Sequence, residues 1–140
     1  MAFFVDANVV VYAATDGPFE TACGDVMDAI GAGADGRTST AVIEEIWHLE
    51  LSRRVGDIFG LAERAYATFT PLLPVTDETV SQALALDAGN LGANDRIHVA
   101  TCLENGIDTI VSADAGFDGV AGIRRVDPLD NRAVTGLLRD

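Results

Sequence analysis

Two short apolar runs in this chain each deliver an aspartate at their end: Phe3-Phe4-Val5-Asp6, and far downstream Thr109-Ile110-Val111-Ser112-Ala113-Asp114. Brief β-branched and aromatic runs bounded by turn residues have the character of buried strands in a parallel sheet, and ligands of open α/β sheets gather outside the strands' carboxyl ends. Both carboxylates should therefore face one crevice. Carboxylates crowded in a cleft repel and resist ionising unless a cation lies between them, so the pairing points to a hard divalent ion.

Further acids qualify by position. In Thr40-Ala-Val-Ile-Glu44-Glu45-Ile-Trp-His48-Leu49, helical phase puts Val42, Ile46 and Leu49 on one stripe. Glu45 borders that stripe and can reach a crevice at the helix edge, whereas Glu44 points away to solvent. Asp95 falls in the first turn of a helix beside Val99, Ala100 and Leu103. Each acid also has a bland explanation: Asp6 as a helix cap, Glu45 as a rim residue over the core, Asp95 as a complement to the helix dipole, Asp114 and Asp118 as loop or cap residues.

The elements that must position these groups follow from pattern and punctuation. After the first strand, residues 8–14 and 18–33 have helical spacing, with a loop over 31–36 and a short strand at 37–39. Ser39 or Thr40 caps a helix to about residue 54, and another covers about 57–70 before an extended segment at 71–75. Thr76 or Asp77 caps a helix to about residue 91, and Asn94 caps one that Gly106 ends. A strand to Ser112, a turn near 119–122, a strand at 123–126 and a helical stretch after Pro128 complete the chain. Strands alternating with helices predict a three-layer α/β/α domain with a central, mostly parallel sheet, a single domain over residues 1–140.

Composition narrows the function. Of 140 residues, 49% are hydrophobic, enough for one packed core. No apolar run is long enough for a membrane span, and the start of the chain has no signal-like segment, so no membrane association and a cytoplasmic location are expected. Cys23 and Cys102 fit neither a disulfide framework nor a zinc pattern and should be buried apolar residues. The net charge is −13, and all nine basic residues are arginine. Such a field repels phosphate, so any nucleic-acid contact must be local, through a bound cation and a few arginines. The lysine-free acidic surface is also the habit of proteins from salt-loving organisms, where screening removes the repulsion.

Taken together, Val5-Asp6-Ala7-Asn8, Ser39-Thr40-Ala-Val-Ile-Glu44-Glu45-Ile, Ala93-Asn94-Asp95-Arg96-Ile97-His98-Val99-Ala100 and Ile110-Val111-Ser112-Ala113-Asp114 with Phe117-Asp118 resemble the successive motifs of the PIN-domain family. The compact length is most similar to its VapC-type toxin ribonucleases. The resemblance implies a PIN-like nuclease fold, a Mg²⁺ or Mn²⁺ site, and endoribonuclease activity on RNA, as the toxin of a toxin-antitoxin pair. It carries over Asp6, Glu45, Asp95 and Asp114 as catalytic and metal-holding acids and Asp118 as a less constant metal helper. It also implies supporting roles for Asn8 and Ser39 or Thr40, a cognate antitoxin and a homodimer. Arg96 reads either as an RNA phosphate contact or as a surface arginine paired with a nearby acid.

Rival readings are a catalytically weak PIN-like binding module and a housekeeping RNA-processing nuclease. Exposure of Ile58, Phe59, Leu61, Tyr66 and Phe69 would offer a groove for an antitoxin helix, while burial would place them in the core. The spacings Glu45-x-x-His48 and Asp95-x-x-His98 match a di-iron motif, but that architecture needs four long helices. Both histidines are therefore expected as groups that support the ligands or lie at the core edge, and His98 stands where the resembled family often has a histidine. Phosphoryl-transfer sites that recruit a lysine find none here.

Overall fold

The computed structural model describes residues 1–139. Four short strands, β1 (Phe3–Val5), β2 (Gly36–Arg37), β3 (Thr109–Val111) and β4 (Arg124–Val126), form one sheet in the order β2-β1-β3-β4, every pairing parallel. Parallel neighbours cannot be joined by a hairpin, so the chain crosses over between them. The crossovers and the tail carry α1 (Ala7–Ala13), α2 (Glu20–Gly31), α3 (Thr40–Ser52), α4 (Leu61–Phe69), α5 (Asp77–Ala85), α6 (Ala93–Glu104) and α7 (Asn131–Leu138), with a 3-10 turn at Ala115–Phe117. Every residue of β1 and β3 is buried, which requires cover on both faces of the sheet. The expected three-layer α/β/α architecture is what forms.

Register brings the two strand-end segments together. Phe4 lies opposite Ile110 and Val5 opposite Val111, so the chain leaves β1 at Asp6 beside the point where it leaves β3. The Asp6 amide continues the ladder by donating to the Val111 carbonyl at 3.1 Å. Beneath them Phe3, Phe4, Val9, Ile46, Val99, Ile110 and Phe117 are buried in one contiguous core, each contributing about 1.5–3 kcal/mol through area removed from water. Gly36 is needed where β2 meets that core, because a Cβ there would sit 2.6 Å from Ile30 Cδ1. Cys23 and Cys102 are free and buried, and burial pushes their thiols up to about 11 and about 12. No helix among the described residues is long and apolar enough to cross a membrane.

Several boundaries move for local reasons. β2 occupies 36–37 rather than 37–39, and α2 spans 20–31 rather than 18–33. Ser39 caps α3 and Thr76 caps α5, each side-chain oxygen accepting from a backbone amide in the first turn. α4 starts at Leu61, not near residue 57, because Gly60 adopts φ +79° and the Glu50 carboxylate on α3 accepts from the Gly60 and Ala62 amides at 3.0 Å each. These hydrogen bonds hold Glu50 below its ordinary value. α5 stops at Ala85 instead of reaching residue 91, and α6 is entered through Gly92 rather than capped by Asn94. Between them 86–92 forms a loop braced by Arg96, described below.

Candidate metal centre

Asp6 ends β1 and begins α1, so its carboxylate sits at the sheet's carboxyl edge. Oδ1 accepts from the Ala7 amide at 2.8 Å, and Oδ2 accepts from Ser112 Oγ at 2.7 Å and Asn8 Nδ2 at 3.1 Å. Asn8 Oδ1 in turn accepts from the Ala113 amide at 3.1 Å, and Ser112 Oγ accepts from the Asp114 amide at 3.0 Å. This network clamps the end of β1 to the end of β3 and points Asp6 into the crevice. Burial pushes the Asp6 carboxyl above its ordinary value, with the neighbouring Glu45 charge adding to it, against partial relief from His98, Ser112 and Ala7.

Glu45 reaches the same place from α3 and His98 from α6. His98 is fully buried, its Nε2 lying 2.7 Å from Glu45 Oε1 and 3.7 Å from Asp6 Oδ1. One ligand atom from each of Asp6, Glu45 and His98 lies within 4.8 Å of the others. Nδ1 of His98 has no hydrogen-bond partner, so the proton that matters is the one on Nε2, donated to Glu45. Burial opposes charge on the imidazole, but the bond to Glu45 and the fields of Asp6, Glu45 and Asp95 outweigh it and hold His98 above its ordinary value. Where the ring is protonated, its charge partly offsets the carboxylates' repulsion. Glu44, one residue away, is exposed, as helical phase required.

Asp95 lies in the first turn of α6, half-buried, and no donor from the described residues reaches its carboxylate. Burial, then the charges of Asp6, Asp114 and Glu45, push it up to about 6, against a smaller opposing pull from His98. Asp114 is on the open side of the crevice, with Oδ1 capping the 3-10 turn through the Gly116 amide at 2.8 Å. Asp118 borders the same crevice but both its oxygens are engaged by Arg125, at 2.8 and 3.2 Å. Arg125 also donates to the Ser112 carbonyl at 3.0 Å and so ties this loop to β3.

Oxygen donors that repel one another, one of them lacking any hydrogen-bond donor, are the set that a hard divalent cation satisfies. The residues present fit such an ion. Geometrically, Asp6 and Glu45 converge with His98; Asp95 and Asp114 are electrostatic neighbours of that cluster rather than members of its tight triad.

The sequence pattern of the PIN domain matches residues 3–123, most of the chain and all of the elements that build the crevice. The chain belongs to the PIN domain family. Solved PIN-type folds similar to it include VapBC2 from Rickettsia felis bound to a DNA fragment from their promoter (TM-score 0.69, 13% identity, covering 90% of this chain and 98% of that one). FitAcB from Neisseria gonorrhoeae aligns with TM-score 0.65 at 14% identity over 91% and 99% of the two chains. VapC20 from Mycobacterium tuberculosis, described as a sarcin-ricin loop cleaving toxin, aligns with TM-score 0.65 at 21% identity over 87% and 98%. No curated protein matches the sequence. At these identities the structural likeness establishes the fold.

Within this PIN domain, sequence reasoning missed two contributors. Ser112 was signalled only as a polar residue ending a buried strand, and Arg125 carried no local signal. His98 is buried and supports Glu45 through its Nε2, in keeping with the supporting or core-edge place expected of it, while His48 is exposed. Ser39 and Thr40 do not turn to the acids: Ser39 caps α3, and Thr40 Oγ1 accepts from the Val75 amide at 3.2 Å. Arg96 makes no ion pair with an acid among the described residues; its guanidinium donates to three backbone carbonyls.

Proposed function

We propose that this PIN domain is a divalent-metal-dependent endoribonuclease, Mg²⁺ or Mn²⁺ being the ion, and that it acts as the toxin of a toxin-antitoxin pair. The observation that carries the reading is Asp95: a half-buried carboxylate without a donor, in the fields of Asp6, Glu45 and Asp114, carries its charge at a cost that a cation beside it would relieve. Asp6, Glu45, Asp95 and Asp114 would hold the ion, and Asp118 would keep the Asp114 loop in place through Arg125. A divalent cation there supplies positive charge that makes water nucleophilic at neutral pH and offsets charge on a scissile phosphate. The chain's own residues orient: Ser112 and Asn8 hold Asp6, and the Nε2 proton of His98 holds Glu45. With net charge −13, attraction of RNA falls to the ion rather than to the protein surface.

An antitoxin partner is supported by the structural neighbours, one of which is described as a toxin-antitoxin complex from Klebsiella pneumoniae. It is supported also by the α3–α4 face, where Trp47, Phe59 and Tyr66 are 56%, 85% and 52% exposed around a groove of about 540 Å³. Ile58, Leu61 and Phe69 are buried and do not contribute to it. A homodimer belongs to the same proposal and is read by light scattering. The deciding assay incubates the protein with structured RNA and Mg²⁺ or Mn²⁺ at high salt, with chelator and Asp95→Asn as controls. Cleavage that survives either control would refute the reading; its absence with every metal would favour the binding module.

A further inference from the structure

Beside the acidic cluster a polar cavity of about 580 Å³ opens, bounded by Asp95 and Asp114 on one side and by Asp87, Asn90 and Gly92 of the 86–92 loop on another. We propose that this cavity is a subsite for one unstacked RNA nucleotide, with Asp87 and Asn90 contacting its base; the proposal rests on the ribonuclease reading. A pocket of this size suits a small molecule about as large as a single nucleotide.

Its wall is built in advance. Arg96, one residue past Asp95 on α6, donates from Nε to the Leu91 carbonyl at 2.7 Å, from Nη1 to Leu86 at 3.1 Å and from Nη2 to Gly89 at 2.8 Å. One rigid fork thus satisfies three carbonyls of a loop that has no regular structure of its own, so little ordering cost remains for a ligand. Three of its five N–H groups are used this way.

The charged side chains that line the cavity are all acidic, and Asp118 is the one among them with an arginine partner. A phosphate is therefore disfavoured and an uncharged base favoured. Asp87 and Asn90 make no hydrogen bond or ion pair within the described residues, which leaves a carboxylate and a carboxamide free to meet a base edge. Single-stranded RNA is read in this manner, on splayed bases through their hydrogen-bonding edges. Guanine, with adjacent N–H groups, matches a carboxylate best. Four glycines also line the cavity, Gly89, Gly92, Gly116 and Gly119, so a flat ring can approach the backbone.

Gly92 provides the test. Its φ of −69° suits any residue, and a Cβ there meets nothing within 4 Å, so Gly92→Leu adds bulk at the cavity's border without backbone strain. Amide spectra of the wild type, titrated with GMP, should show Gly89, Gly92, Gly116 and Gly119 moving together, while ribose 5-phosphate leaves them in place. Gly92→Leu should weaken GMP binding at least about tenfold. Asn90→Ala, at an exposed position without partners, keeps the fold and should weaken it several-fold. Unmoved glycines, equal shifts with ribose 5-phosphate, or variants that bind GMP like the wild type would overturn the subsite. Base-dependent shifts in a protein that cleaves no RNA would leave the subsite standing and refute the nuclease; metal-dependent cleavage without them would do the reverse.

Discussion

Replacing Asp95 by asparagine should make the metal-free protein firmer and remove its response to divalent cations. Asp95 rises from 3.8 to about 6 in the folded chain, first through burial and then through the charges of Asp6, Asp114 and Glu45. At about 1.4 kcal/mol per unit that shift corresponds to about 3 kcal/mol, of which solvent screening of a half-exposed group leaves about 1.5 kcal/mol. Asparagine forgoes the favourable field of the α6 N-terminus, about 0.5 kcal/mol, so the net gain is about 1 kcal/mol, or about 3 °C for a domain of this size. The sign follows from linkage: the folded value lies above the unfolded one, so the cost exists where Asp95 is ionised and fades as pH falls from about 6 towards 3.8. The asparagine advantage, full at neutral pH, should halve by about pH 5 and nearly vanish by about pH 4. Thermal unfolding of both proteins in chelator across this range measures it, and repetition with Mn²⁺ should raise the wild-type midpoint alone. A variant no more stable than the wild type at neutral pH, or an advantage indifferent to pH, would refute the electrostatic argument.

His98→Leu should lower metal-dependent cleavage about 10–100-fold by releasing Glu45, and His98→Gln, which keeps an N–H donor, should recover part of it; equal losses in both would show that the hydrogen bond is not what matters. Raising monovalent salt from about 0.1 M to about 1 M shortens the Debye length from about 10 to about 3 Å, so RNA cleavage at fixed Mg²⁺ should increase. A steep decrease would reveal a basic RNA surface that the charge of −13 denies. Glu50→Gln should lower the melting temperature by loosening the start of α4. Because the fold holds Glu50 below its ordinary 4.5, the difference from wild type should be present above that pH and shrink as pH falls through the lowered value, as calorimetry would show.

Periodicity and punctuation alone determined where the acids stand on their own elements. Asp6 at a strand end, Glu45 rather than Glu44 on the inner edge of α3, and Asp95 in the first turn of α6 all follow from the direction a side chain takes from its own backbone, which local pattern dictates. What each group touches was decided by packing. The Ser112 clamp on Asp6 spans 106 positions and the His98 contact with Glu45 spans 53, and both depend on the β1–β3 register and on how α3 lies against α6. Arg96 shows the limit most plainly. A flexible stem carrying five donors suits phosphate, carboxylate or carbonyl equally in a linear sequence, and only the fold of 86–92, broken at Gly89 where φ is +57°, put three carbonyls within its reach.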